Sequence, residues 1–162
     1  CFTMRYWVAE TLEDILPLED LAREALMESR FRDSVFSPEK FRRAAEKAAD
    51  SARHGVLIAS NDDGPVGFLY CTIGEHLVGT GVLLTSVQLF YVRPKIRNSL
   101  AGGRAANALL NGVLSWSKAR KGAEVLIHVT GGIRAVEQDR FLRKRKFGVI
   151  GGSYGIAPYS IT

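Results

Sequence analysis

Between Arg97 and Arg104 the chain reads RNSLAGGR, and an apolar pattern of helical period follows at once. Two arginines bracket a turn of small residues that ends in the adjacent glycines Gly102 and Gly103. A helix start leaves main-chain N–H groups without partners, and glycines there remove the side chains that would keep an anion away. The chemistry on offer is capture of a phosphate-like anion. Two common phosphate cradles do not match: the stretch has neither GK followed by Ser or Thr nor GxGxxG. Groups able to move a proton are scattered elsewhere. Glu75 and His76 follow one strand pattern, Gln88 lies within the next, His128 sits in a later one, and Tyr154 is close to the end.

These residues need a scaffold, and the composition supplies one. A length of 162 residues suits one domain, taken as 1–162, in which residues 1–3 precede Met4, the first candidate start. Hydrophobic residues make up 46% and charged residues 24%, which is ordinary for a globular chain and argues against disorder. No apolar run reaches the ~18 residues of a membrane span and no signal-peptide pattern opens the chain, so a soluble, cytoplasmic protein is expected. Cys1 and Cys71 are too few for a disulfide framework and lack C-x-x-C spacing, so no metal site is expected. Cys71 falls in a strand pattern and reads as a small buried residue. A net charge of +5 favours anionic partners without choosing between a phosphorylated cofactor and nucleic acid.

The elements alternate without linker or repeat. RYWVA reads as a short strand, and Thr11 caps a helical segment that continues past Pro17 with Leu18, Leu21, Ala22, Ala25 and Leu26 on one face. Ser37 and Pro38 open a second helix, for which Gly55 is the expected stop. VLIAS and VGFLYCTI form a hairpin around NDDGP, and LLTSVQLFYV is a longer strand that ends before Pro94. Ala106, Leu109, Leu110, Val113 and Leu114 mark the next helix, EVLIHV the next strand, and EQDRFLRKRK the last helix. FGVIGGSYGI is expected to close the sheet. The order is β-α-α-β-β-β-α-β-α-β. It implies an α/β (α+β) fold with a mixed, mostly antiparallel sheet flanked by helices, in which the fourth strand, third helix and fifth strand form a parallel unit.

The segment YVRPKIRNSLAGGRAANALL resembles the signature of the GCN5-related N-acetyltransferase family, V-x-P-x-x-R-x-x-G-x-G/A. Val92, Pro94, Arg97 and Gly102 match it, while Leu100 stands where the first glycine is usual. Arg97, Ser99, Ala101 and Gly102 also match the R-G-S-x-A-G run of a bacteriophage and prophage branch. The resemblance extends through WSKARKGAEVLIHVTGGI and RFLRKRKFGVIGGSY.

The resemblance implies that the cradle holds the pyrophosphate of acetyl-coenzyme A, the co-substrate, through Arg97, Asn98, Ser99, Leu100, Ala101, Gly102, Gly103 and Arg104. It also implies that the strands on either side of the cradle helix splay apart. The backbone of Phe90 and Val92 would then meet the pantetheine arm. Transfer to an amine requires a base, a donor for the oxyanion and a proton for the leaving thiolate. The N–H of Phe90 is the implied oxyanion donor; Glu75 and His128 are the candidate bases. The tyrosine that many family members carry in the last helix is Leu142 here, and Tyr154 is the candidate substitute acid. The function implied is an acetyl-CoA-dependent N-acetyltransferase with an unidentified amine acceptor, in the host cytoplasm if phage-encoded; a homodimer stays open. The alternatives are a fold-retaining protein that binds a partner or nucleic acid without turnover, and a nucleobase-modifying enzyme. Arg140 to Lys146, with five positive charges in seven residues, would be the dock for nucleic acid or an acidic protein.

Overall fold

In a computed structural model, which describes residues 3–160, the chain forms two compact units, residues 1–128 and 129–162. The first unit is built on one five-stranded sheet in the order β1 (Arg5–Val8), β2 (His54–Asn61), β3 (Gly64–Glu75), β4 (Leu83–Val92) and β5 (Gly122–Ile127). The first four strands pair antiparallel, and β5 runs parallel to β4. This is the mixed, mostly antiparallel sheet with a parallel β4–β5 pair that the element order implies.

Side-chain caps mark the starts of two of the N-terminal helices. Thr11 caps α1 (Leu12–Ile15) in a reciprocal box with Asp14, and a single 3-10 turn through Pro17 passes the chain to α2 (Glu19–Glu28). Ser37 caps α3 (Pro38–Asp50) by accepting the Lys40 N–H at 3.2 Å. The helix then ends at Ser51, and Gly55 is not its stop but a residue of β2. There it leaves room for the indole of Trp116, which an added Cβ would strike at 2.7 Å. The hairpin turns at Gly64, whose φ of +118° is open to glycine at little cost.

Two layers cover the sheet. On one face Leu57, Leu69, Cys71 and Val87 meet Ala105, Leu109, Leu110, Val113 and Trp116 of α5 (Leu100–Ala119), all of them buried. On the other, Val56, Ile58, Phe68 and Tyr91 meet Ile15, Leu18, Leu21, Ala25, Ala45 and Ala48 from the N-terminal helices. Each α5-facing position on β2 and β3 is odd-numbered, following the two-residue period of a strand. On β4 the period breaks: Tyr70 pairs Leu89 and Cys71 pairs Val87, so Gln88 is an extra residue, a bulge. Thr85, Val87, Phe90 and Val92 therefore all face α5, and Leu84, Ser86, Leu89 and Tyr91 face the other way.

Cys71 is fully buried, and burial pushes its thiol up to about 12. Alkylation by iodoacetamide at pH 8, followed by peptide mapping, should therefore modify Cys71 at least ~100-fold more slowly in the folded protein than after denaturation.

The second unit contains α6 (Ala135–Lys144), with Phe141 and Leu142 half-buried. The expected closing strand is not formed. Residues 147–157 are irregular, and among the described residues no strand follows β5. Four glycines within eight positions, Gly148, Gly151, Gly152 and Gly155, give this segment little side-chain surface for a neighbouring strand to bury.

Candidate active site

The parallel pairing of β4 with β5 stops at Val87 opposite Ile127, and one further bond, His128 N–H to Val87 O at 3.4 Å, closes it. From Gln88 to Val92 the strand continues without β5 beside it, about 15 Å at the ordinary rise per residue. Which backbone groups face this gap follows from the ladder on the other side. Arg93 donates to Val66 O at 2.8 Å, so Arg93, Tyr91 and Leu89 direct their polar groups to β3. Phe90 and Val92 direct theirs away from β3, into the split.

The mouth of the split is formed by the turn that follows β4. A helical turn absent from the sequence reading, α4 (Pro94–Arg97), occupies its first half. Ile96 O accepts the Ser99 N–H at 2.9 Å and the Ser99 hydroxyl at 2.6 Å, which folds the chain back into α5. Ser99 caps α5, receiving the Gly102 N–H on Oγ at 3.2 Å and the Gly103 N–H on its carbonyl at 3.1 Å. The Asn98 N–H turns inward to Ile96 O. The N–H groups of Leu100 and Ala101 are left without a partner among the described residues, at the positive end of a twenty-residue helix.

The two glycines do different work. A Cβ on Gly102 would fall inside the Ile96 carbonyl, so this glycine lets α5 sit on α4 and is buried there. A Cβ on Gly103 would meet nothing. The guanidinium of Arg97 is also committed inward. Its Nε and Nη2 donate to Val92 O at 3.1 and 2.9 Å, and Nη2 and Nη1 donate to the two carboxylate oxygens of Glu28. Tyr91 adds a hydroxyl bond to Glu28 at 2.9 Å. Burial, then the hydrogen bond to Glu28, holds the Tyr91 phenol well above its usual range, and it remains a donor. Arg104 is exposed, and its charge is felt by Tyr6 of β1.

The candidate acid–base residues separate. Phe90 pairs Leu69, whereas Glu75 pairs Leu83, six positions farther along β3 and therefore roughly 20 Å away. Its carboxylate accepts the Gly81 N–H at 3.1 Å and fastens the β3–β4 loop. His76 Nδ1 accepts from Val78 in the same loop. His128 lies one residue beyond β5, at the point where the strands part, with an exposed side chain. Tyr154 belongs to the irregular part of the second unit and is 99% exposed, so the strand that was to carry it does not exist.

Two constellations escaped the sequence reading. His54 Nδ1 and Tyr70 Oη lie 2.6 Å apart on the sheet face opposite α5. Burial depresses the imidazole's proton affinity, with Lys47 adding to the effect, and burial also raises the Tyr70 phenol, so the pair is neutral near pH 7. Tyr70 is paired with Leu89, which is 49% exposed although it lies on an interior strand, so this face is uncovered beside the bulge. The second constellation joins Glu24 to Arg93 at 3.1 Å and Glu28 to Arg97 at 2.8 Å, each across 69 positions of sequence.

Solved structures share this order and arrangement of elements over nearly the whole chain. The aminoglycoside N-acetyltransferase AAC(6')-Iy, solved with CoA, superposes with a TM-score of 0.76 over 97% of this chain and 95% of that one, at 11% identity. A ribosomal-protein-alanine N-acetyltransferase from Brucella melitensis biovar Abortus 2308 gives 0.64 over 96% and 99%, at 18% identity. Glucosamine-6-phosphate N-acetyltransferase from Arabidopsis thaliana gives 0.64 over 98% and 99%, at 14% identity. The chain has the N-acetyltransferase fold. No family model and no curated protein sequence matches it. Within this N-acetyltransferase fold, no helix among the described residues is long and apolar enough to cross a membrane, and no group of three or more metal-ligating side chains is assembled.

Proposed function

We propose that this chain is an acetyl-CoA-dependent N-acetyltransferase. The observation that carries the proposal is the end of the β4–β5 pairing at Val87, five residues before β4 itself ends, together with a following helix N-terminus at which the Leu100 and Ala101 N–H groups have no partner among the described residues. Acetyl-CoA is the co-substrate these features suit. The Leu100 and Ala101 N–H groups would receive its pyrophosphate, with the space over Gly103 open beside them. Phe90 and the Val92 N–H would bind its amide-bearing arm as a strand binds a strand. The carbonyl of Val92 already has Arg97 as its donor and takes no part. Acetyl-CoA supplies an acyl group activated as a thioester. Negative charge growing on the thioester oxygen would be met by the Phe90 N–H.

The acceptor amine would approach on the sheet face opposite α5, where Leu89 is exposed beside the bulge. It would pass over Leu89, Tyr70 and His54, and His128 at the apex would take its proton. The neighbours' acceptors are diverse, and the substrate here is proposed only as a primary amine. A bacteriophage or prophage origin rests on the R-x-S-x-A-G run alone, and binding of nucleic acid or an acidic protein rests on the exposed Arg140, Lys144 and Lys146.

The reading is tested by native mass spectrometry for bound coenzyme A and by thermal shift with acetyl-CoA, which must raise Tm if it binds the folded state. Thiol release in the presence of a panel of amines then measures transfer. Replacing His128 with Gln should lower transfer by ~10²-fold or more, and Glu75→Gln should leave it unchanged. No shift in Tm at millimolar acetyl-CoA would overturn the proposal.

A further inference from the structure

The four charged residues at the mouth of the split are spaced alike on both sides. Glu24 and Glu28 are four apart on α2 and so share a face of that helix. Arg93 and Arg97 are four apart and flank α4 at its two ends. Glu24 receives Arg93, and Glu28 receives Arg97. A single helix face therefore holds α4 at both ends. The inner pair is the more enclosed, with side chains 17% and 28% exposed, and Tyr91 completes the shell of the Glu28 carboxylate.

This arrangement decides what the arginines do. A guanidinium has five N–H donors. Four bonds from Arg97 go to Glu28 and Val92 O, which leaves one. An arginine so occupied is a strut. It fixes Val92, the last residue of the split, relative to Ile96, whose carbonyl folds the turn into α5. The position of the Leu100 and Ala101 N–H groups follows from that fold.

We infer that Glu24 and Glu28 are positioning residues: through Arg93 and Arg97, α2 holds the phosphate cradle in its binding geometry before any ligand arrives. The inference rests on the proposed function for the identity of what the cradle binds. A preformed site spares the ligand the entropy of ordering the turn, so loosening the clamp weakens binding even where the fold survives. α2 also covers the sheet face from which an acceptor would come, so a displacement of α2 would be felt at the cradle.

The test uses Glu24→Gln, Glu28→Gln and the double variant, with Glu46→Gln, which breaks the exposed Arg42–Glu46 pair of α3, as control. Coenzyme A itself is the probe, titrated by calorimetry. The double variant should bind it at least ~10-fold more weakly, about 1.4 kcal/mol, and the control should match the parent. Hydrogen exchange without ligand provides the second readout, and amides of residues 93–103 should exchange at least ~10-fold faster in the double variant. Faster exchange with unchanged affinity would reduce the clamp to a stabilising contact and overturn the positioning role. Tighter binding would mean that the glutamates compete with phosphate for the arginines, which also overturns it. Unchanged exchange would remove the clamp altogether. If the parent protein binds no coenzyme A, the proposed function falls, and the exchange experiment still decides whether α2 orders the turn.

Discussion

Gly102→Ala should destabilise the protein by about 1–3 kcal/mol, because the new methyl group must displace the Ile96 carbonyl on which α5 rests. Gly103→Ala, one residue along the same helix, should be neutral or stabilise by up to about 1 kcal/mol, because its methyl group meets nothing and alanine favours helix over glycine. Urea unfolding of the two variants measures the difference directly. Equal stabilities would mean that α4 and α5 do not approach as described. The contrast also separates two reasons for glycine at an anion cradle. Gly102 makes the backbone of the turn possible, and only Gly103 leaves space that a ligand could fill. A bulky residue at Gly103 is therefore the informative block to the proposed coenzyme binding, since at Gly102 the turn itself would be lost.

Trp116→Ala should cost about 3–5 kcal/mol, the range for deleting a large buried aromatic side chain. Trp116 is buried, lies against Gly55 of β2 and carries the Arg120 guanidinium over its ring at 4.1 Å. Trp116→Phe should cost far less than the alanine change. The indole Nε1 is buried without a hydrogen-bond partner among the described residues, a penalty of ~1–3 kcal/mol that phenylalanine does not carry. Thermal and chemical unfolding of both variants would check this. A phenylalanine variant as unstable as the alanine one would mean that the indole N–H is satisfied by a bound water.

Much of the scaffold was legible because local rules act locally. Thr11, Ser37 and Ser99 lie ahead of apolar helical patterns, and the first two read directly as caps. The hairpin around Gly64 and the stop at Pro94 are equally short-range. The split between β4 and β5 came only from the family resemblance, since hydrophobic patterning does not say where two paired strands part. The closing strand failed for the opposite reason: FGVIGGSYGI was read as a strand broken by glycines, but the glycines prevail and Val149, Ile150 and Ile156 are exposed. The clamp could not be read at all. Glu24, Glu28, Arg93 and Arg97 each look like surface charge, and only tertiary structure joins helix faces 69 positions apart. The same limit hid His54 and Tyr70, whose meeting depends on the register of β2 against β3. Arg97 was assigned to the ligand by its place in a motif, whereas its hydrogen bonds go to the protein.

The extra residue at Gln88 makes β4 a strand with two parities. Up to Val87 its odd positions face α5, and from Phe90 onward its even positions do. A change of length by one residue here would not be a local event: it would exchange inside and outside for everything between the bulge and the neighbouring turn, turning Thr85 and Val87 outward or Phe90 and Val92 away from the helix that covers them. Lineages of this chain can therefore vary the identity of Gln88 far more freely than its presence. Aligning β4 with a distant relative by alternation alone will also place one half of the strand a residue out of step, and the misplaced half contains either the closed end of the split or its walls.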